Sequence, residues 1–336
     1  MRFRDPSNLS QNPIQVAKKI SLPPASVRFS RETIWSLFSK NITSAPAQRI
    51  LSLMSTHILK LNCPDAVGLL ARITGFIAAS GGNLLDVSQY TDPVSRWFFA
   101  RLAFTGGRID SDSTAFRNDI EKLASDMRAD WSLRPADLPL RTVILVSKQD
   151  HCLVDLLWRW RSRELNIDIA AILSNHENAR PLVEREGLPF EHIDFTSEKS
   201  AAFDQLSARL RDLGAELVLL ARFMQILPAS LCREFTGRVI NIHHSFLPAF
   251  VGANPYRRAF ERGVKLIGAT CHYTTEDLDQ GPIIEQEVSR VEHYHEPDDL
   301  VRLGRDCERL ALARGVRYHV EDRVLVHGPR AIVFRD

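Results

Sequence analysis

No stretch of this chain approaches the roughly 20 consecutive apolar residues that a membrane-crossing helix needs, so no membrane span is expected. Charge of one sign is missing too: 43 Lys and Arg face 41 Asp and Glu over 336 residues, a formal net charge of +2. That balance gives no electrostatic case for a nucleic-acid partner. Cysteine is sparse. The five present (Cys63, Cys152, Cys232, Cys271 and Cys307) are scattered, odd in number and without C-x-x-C spacing, which points to reduced thiols in a cytosol-like compartment. His243, His244, His272, His293 and His295 come with no H-E-x-x-H and no partnering Cys, so no metal site is expected. There is also no internal repeat and no low-complexity tract.

What is present is an ordinary globular composition, 44% hydrophobic and 25% charged, long enough for two domains. The first fifty residues differ from the rest. Arg2, Arg4, Lys18, Lys19, Arg28, Arg31, Lys40 and Arg49 stand there against only Asp5 and Glu32, among many serines. This is the bias of an organellar transit peptide. The competing and favoured reading takes residues 1–53 as a disordered or adventitious extension, Met54 as a natural start, and the protein as cytoplasmic.

From His57 to about Asp130 the pattern runs strand, helix, strand, strand, helix, with a helix at Leu69–Ala79 closed by Gly81-Gly82 and a hairpin across Thr91-Asp92-Pro93. That order predicts a ferredoxin-like module over 54–133. Arg134-Pro135-Ala136-Asp137-Leu138-Pro139 reads as a linker, residues 134–140, because two nearby prolines interrupt both helix and ladder. In 141–336, strands near 142–146, 168–173, 216–221, 238–242 and 267–273 alternate with helices, predicting an α/β, Rossmann-like domain with a mostly parallel sheet. A long helix at about 297–321 precedes a terminal hairpin.

Asn241 and His243 close the apolar run Arg238–Ile242 two residues apart, so both side chains face the same way. Such a pair sets an oxyanion donor beside a proton shuttle. Asp279, in the Gly/Pro-bounded loop Asp277-Leu278-Asp279-Gln280-Gly281-Pro282, can fold back over the strand end to orient water and hold His243 protonated. Together they suit attack on a carbonyl or formyl carbon. The same residues also read as a turn with satisfied hydrogen bonds beside an ordinary exposed loop.

The series N-x-H, S-x-L-P and L-D-x-G-P-I resembles the catalytic core of the folate-dependent formyltransferase superfamily. Val143–Trp160, Ser174-Asn175-His176, Ala221–Leu227 and Ile240–Pro255 are similar, more closely, to its formyltetrahydrofolate deformylases. The resemblance runs from Leu59 to the C-terminus. It implies hydrolysis of 10-formyltetrahydrofolate to formate and tetrahydrofolate, supplying formate for purine synthesis and balancing one-carbon pools. Asn241 would steady the oxyanion, His243 would move the proton and Asp279 would position water. Arg222, Met224 and Leu227 would meet the pterin on one wall, with Thr275, Glu276 and Asp277 on the other. The folate is then the substrate, and no cofactor is implied.

Cys63–Ile73 with Gly81–Leu84 looks like an ACT domain, a family whose effector sites involve these loops. Asp65, Gly68 and Asn83 are the regulatory candidates, with methionine and glycine as effectors and a homo-oligomer implied. Their plainer roles are a helix cap, a tight turn and a residue after glycines.

Two alternatives stand beside hydrolysis. One is formyl transfer to an amine acceptor. A nucleotide acceptor needs a glycine-rich phosphate turn at a helix N-terminus, whereas the strand 142–146 runs into Ser147-Lys148-Gln149-Asp150-His151, with no glycine and with an acid where the phosphate would sit. Asp150 is equally a helix N-cap. The other alternative is a non-catalytic folate or amino-acid sensor.

Overall fold

Leu69, Ile73 and Ile77, spaced i, i+4, i+8, put one buried stripe along α1 (Leu69–Ala79), and that stripe is what fastens the helix to the N-terminal sheet. The computed structural model describes residues 55–248 and 255–335; the basic extension and the Met54 start lie outside them. The N-terminal module runs β1 (Thr56–Pro64), α1, β2 (Asn83–Asp92), β3 (Trp97–Thr105), α2 (Arg108–Ser111), α3 (Ser113–Met127) and β4 (Asp130–Pro135), with antiparallel sheet order β2-β3-β1-β4. Arg134 and Pro135, expected in the linker, instead end β4, where Arg134 pairs with Ile58 and Pro135 with His57. Pro135 is tolerated there because β4 is an edge strand and Pro ends it.

One face of this sheet packs Leu59, Leu61, Leu102 and Phe104 against Ile73, Ile77, Phe116 and Ile120. The alternation of β3 then puts Phe99, Arg101 and Ala103 on the other face, and they are buried as well. What covers that face comes from the far end of the chain, as described below.

The second domain follows as β5 (Leu140–Val146), α4 (His151–Arg161), β6 (Ile167–Ser174), α5 (Arg180–Arg185), β7 (Phe190–His192), α6 (Lys199–Asp212), β8 (Leu217–Ala221), α7 (Ala229–Glu234), β9 (Val239–His243), α8 (Pro255–Arg262), β10 (Leu266–Tyr273), β11 (Ile283–Arg290), α9 (Pro297–Val320), β12 (Val324–His327) and β13 (Arg330–Val333). Its seven-stranded sheet has order β11-β10-β9-β8-β5-β6-β7. The pairs from β7 through β9 are parallel, while β9–β10 and β10–β11 are antiparallel. β8 is wholly apolar, and β5 is so from Val143 to Val146, because both of their faces are covered, and separate cores fill the two sides. Chain order reverses at β5, which lies between β6 and β8. In such sheets ligands bind beyond the carboxyl ends of the strands at that reversal.

The long helix α9 starts with a reciprocal capping box between Glu296 and Asp299, which satisfies two otherwise orphaned N–H groups. It buries Leu300, Gly304, Cys307, Glu308, Ala311, Leu312 and Gly315 along one stripe. Its C-terminal end meets the open face of the N-terminal sheet. Arg101 Nε and Nη2 donate to the Glu321 carbonyl at 3.3 and 3.1 Å, and Arg134 Nη1 donates to the Val320 carbonyl at 3.2 Å. Lys60 and Arg134 reach the Asp322 carboxylate at 3.0 and 3.1 Å. Two sheet arginines thus satisfy carbonyls at the end of one helix, and Lys60 joins Arg134 on the carboxylate just past its negative dipole end.

Candidate active site

β9 presents Asn241 and His243 on one side, and the loop between β10 and β11 brings Asp279 to them. The loop is held down at both ends: Thr274 N donates to Val239 O at 3.0 Å, and Tyr273 N to Pro282 O at 3.0 Å. At Gly281 a Cβ would lie 1.7 Å from the Tyr273 carbonyl oxygen, so only glycine lets the loop close this tightly. The result is a His243 Nδ1 to Asp279 Oδ1 contact of 3.2 Å.

His272, opposite Asn241 in the β9–β10 ladder, completes the group. Its Nδ1 lies 2.9 Å from the Tyr273 carbonyl oxygen and its Nε2 lies 3.1 Å from Asn241 Nδ2. A carbonyl only accepts, so Nδ1 carries the proton and Nε2 accepts from Asn241. This fixes the carboxamide: Nδ2 gives one proton to His272 and keeps its second for another acceptor. His243 Nε2 is buried and has no hydrogen-bond partner among the described residues.

Burial alone would raise the Asp279 carboxyl. The hydrogen bond and charge of His243, with His272 and His244 further off, outweigh it and hold the carboxyl below its ordinary value. Burial lowers His272 against the pull of the Tyr273 carbonyl and Asp279, which agrees with the neutral tautomer. Burial, then Arg222 and His243, press His244 down to about 4, so it is neutral near pH 7.

The triplet opens on a cleft of about 700 Å³, also lined by Gln149, Arg222, Met224, Tyr256, Leu278 and Glu308. A smaller chamber of about 60 Å³ shares Asn241 and Asp279 with it and is lined by Leu227, His272, Thr275 and Glu276. Met224, Ile226 and Leu278 stay 59%, 66% and 56% exposed at the cleft, an apolar rim suited to a flat ring. Arg222, Met224 and Asp279 all adopt left-handed backbone, with φ of 65°, 61° and 57°. Each conformation costs roughly 1–2 kcal/mol for a residue with a Cβ, and such strain concentrates at functional sites.

Of the six expected folate contacts, five line the cleft or the chamber. Asp277 lines neither; its carbonyl accepts from Thr275 Oγ1 at 3.0 Å and Gln280 N at 3.3 Å, shaping the loop. In the N-terminal module, Asp65, Gly68 and Asn83 are exposed, and Gly68 precedes α1 at φ 83°. An open hollow of about 410 Å³ there is lined by Phe76, Ala79, Ser80, Arg108 and Asp119 and by none of the three. Asp150 holds the N-cap position of α4, but its side chain makes no capping bond.

The sequence reading missed Glu308. It is only 1% exposed, accepts from Tyr256 Oη at 2.6 Å and His151 Nε2 at 2.7 Å, and lies 3.3 Å from Arg222 Nε. Burial would raise its carboxyl, but these partners keep it below the ordinary value. An acid on the apolar stripe of a long helix was the available signal. His151, Cys152 and Glu308 are close enough to offer three metal ligands. A guanidinium and a phenol already engage that carboxylate, and burial holds the Cys152 thiol protonated, so the donor set is that of an ion-pair network.

The formyl transferase family model matches residues 140–316 and the ACT domain model residues 57–129. The formyltetrahydrofolate deformylase of Bacillus subtilis is 44% identical over 278 residues, 82% of this chain and 93% of that protein. The one from Escherichia coli is 40% identical over 281 residues, 83% and 99%. The crystal structure of a Pseudomonas syringae formyltetrahydrofolate deformylase superposes with a TM-score of 0.80 at 44% identity, covering 90% of this chain and 99% of that one. A glycinamide ribonucleotide transformylase from Symbiobacterium toebii covers only 59% of this chain, at 30% identity and a TM-score of 0.55. An ACT module ahead of a formyl transferase domain, matched over nearly the full length of these relatives, places the chain in the formyltetrahydrofolate deformylase family.

Proposed function

We propose that this protein hydrolyses 10-formyltetrahydrofolate to formate and tetrahydrofolate at Asn241, His243 and Asp279. Asp279 orients a water molecule, the second Nδ2 proton of Asn241 meets the formyl oxygen, and His243 carries a proton to the departing amine nitrogen. The observation that carries the reading is the closed arrangement itself: His243 Nδ1 is tied to Asp279 at 3.2 Å and Nε2 has no partner among the described residues, the polarity a proton shuttle needs. The Arg222–Leu227 segment, left-handed at Arg222 and Met224, forms the pterin walls with Thr275 and Glu276 beyond it, through main-chain groups and apolar side chains. The reaction uses no cofactor.

Formate from this reaction supplies purine synthesis and balances one-carbon pools. The ACT module takes amino-acid effectors, methionine and glycine, and the protein works as a cytoplasmic homo-oligomer. No helix among the described residues is long and apolar enough to cross a membrane. Transfer to a phosphorylated amine is disfavoured because Gln149, after β5, accepts from Arg222 Nε and Nη2 at 3.1 and 2.8 Å; the turn serves the side-chain network and offers no glycine nest.

The test is formate release from 10-formyltetrahydrofolate by the purified chain, with and without glycinamide ribonucleotide. Acceptor-independent release is expected. Turnover only with the acceptor would make the protein a transferase, and folate binding without turnover would make it a sensor.

A further inference from the structure

Transfer and hydrolysis differ in what they leave behind. Transfer to an amine yields a neutral formamide; hydrolysis yields formate, an anion, through a tetrahedral species bearing a second oxygen that came from water. A hydrolase therefore has to manage a carboxylate that a transferase never makes. The cleft holds one buried cation whose role the proposed mechanism does not use.

Arg222 is 7% exposed and lines the cleft with the triplet. Its Nε and Nη2 are taken by Gln149 Oε1, and Nε also faces Glu308 at 3.3 Å. These contacts lock the guanidinium plane. Nη1 is left over: it is buried and has no hydrogen-bond partner among the described residues. The residue accepts left-handed backbone, φ 65°, as well as an unsatisfied donor. Either is costly, and a cleft residue that carries both has a ligand to meet.

We propose that Arg222 Nη1 receives the water-derived oxygen of the tetrahedral species and then holds the formate product, so that this part of the cleft is a small-carboxylate subsite. The proposal rests on the hydrolytic reading of Asn241, His243 and Asp279. Water oxygen adds to the formyl carbon while one water proton passes to His243. The C–N bond then breaks with its electron pair going to nitrogen, which takes the His243 proton. The proton left on the water-derived oxygen passes through Asp279 to solvent, leaving HCOO⁻ against the guanidinium. Arg222 exchanges no proton in these steps. Glu308 balances its charge, so formate is held by a directed hydrogen bond and still leaves.

The test is inhibition of hydrolysis by sodium formate, against sodium chloride at equal ionic strength, for the full chain, Arg222→Gly and Arg222→Lys. Glycine suits the left-handed backbone, and the lysine variant keeps the charge while losing the fork. A lost charge-assisted hydrogen bond should weaken formate inhibition about tenfold or more in Arg222→Gly and lower kcat by a similar factor, with KM for the folate changing far less. Line broadening of ¹³C-formate by the protein reads the same binding without turnover and should vanish in Arg222→Gly. The proposal is overturned if formate inhibits the unaltered chain no more than chloride does. It is equally overturned if Arg222→Gly loses activity or stability with its formate affinity intact, the mark of a structural arginine. Normal turnover by Asn241→Ala would instead bring down the site assignment, and the subsite with it.

Discussion

Two regions of this molecule bury charge, and they do so in opposite ways. At the seam between the N-terminal sheet and the end of α9, Lys60, Arg101 and Arg134 each find a carbonyl or carboxylate, and Asp322 takes two cations at 3.0 and 3.1 Å. The one left-handed residue there, Asp322 at φ 55°, sits just past a helix end, where that conformation is the usual way to stop a helix. In the cleft, Arg222 Nη1 and His243 Nε2 have no hydrogen-bond partner among the described residues, and three non-glycine residues take left-handed backbone away from any helix end. At the seam the buried charges are saturated and serve the architecture, whereas in the cleft unpartnered polar atoms lie beside strained backbone, where a ligand can meet them.

The strongest way to break the contrast is to truncate the cleft and watch stability. Asn241→Ala should lower kcat for formate release by roughly 10²–10³, the usual loss for one oxyanion donor, and His243→Ala by roughly 10²–10⁴. Asp279→Asn keeps the volume and removes the charge that faces His243. Its kcat should fall with the other two while the denaturation midpoint moves little. Near-normal turnover in any of the three would remove that residue from the mechanism.

The seam should show the reverse. Asp322→Ala strips Lys60 and Arg134 of a shared partner and should destabilise the protein by about 2–3 kcal/mol, read from urea denaturation, with kcat unchanged at permissive concentrations. A fall in kcat of the same size as in the Asp279 variant would mean that the seam and the cleft are one functional unit.

His272 lies between these extremes, since it touches Asn241 and makes no claim on substrate. His272→Phe keeps the ring volume and frees the carboxamide to rotate. One lost hydrogen bond should cost about tenfold in kcat with KM for the folate little changed. Unaltered kcat would mean that the backbone alone fixes Asn241.

How much of this was readable beforehand follows the same divide. Asn241 and His243 share a face through the i, i+2 period of a strand, and a Gly/Pro loop leaves Asp279 free to fold back over them, but that the three act together was what the family resemblance implied. His272 and Glu308 come from other segments, and only the β9–β10 register and the packing of α9 on the sheet bring them to the cleft. The strands β4 and β11 carry no clear strand pattern for a related reason. Asp130–Pro135 ends in proline, and Ile283–Arg290 is an edge strand with charges at three positions, so neither shows the apolar run that marked β5, β8 and β9. Nothing in β1, β3 or β4 announces that a helix end from the far C-terminus will cover Lys60, Arg101 and Arg134.

The smallest effect at neutral pH concerns one buried imidazole from each region. Burial, aided by Lys60 and Arg134 and opposed by Asp322, pushes His319 down to about 4 at the seam, where its Nδ1 lies 2.7 Å from Tyr273 Oη. His244, in the cleft, is also near 4. Each is neutral when folded and would take a proton near 6.5 when unfolded. The unfolded chain therefore binds more protons in that interval: stability is fully present above about 6.5 and is lost as pH falls towards 4, at up to about 1.4 kcal/mol per pH unit for each group. His319→Gln, which can still accept from Tyr273, and His244→Gln should each flatten the acid limb of the stability curve by about one proton. Only the cleft variant should also change formate release, because only His244 lines the space where the chemistry takes place. Equal losses of activity in both would show that the proton balance of the seam reaches the cleft through Tyr273, whose carbonyl also holds His272.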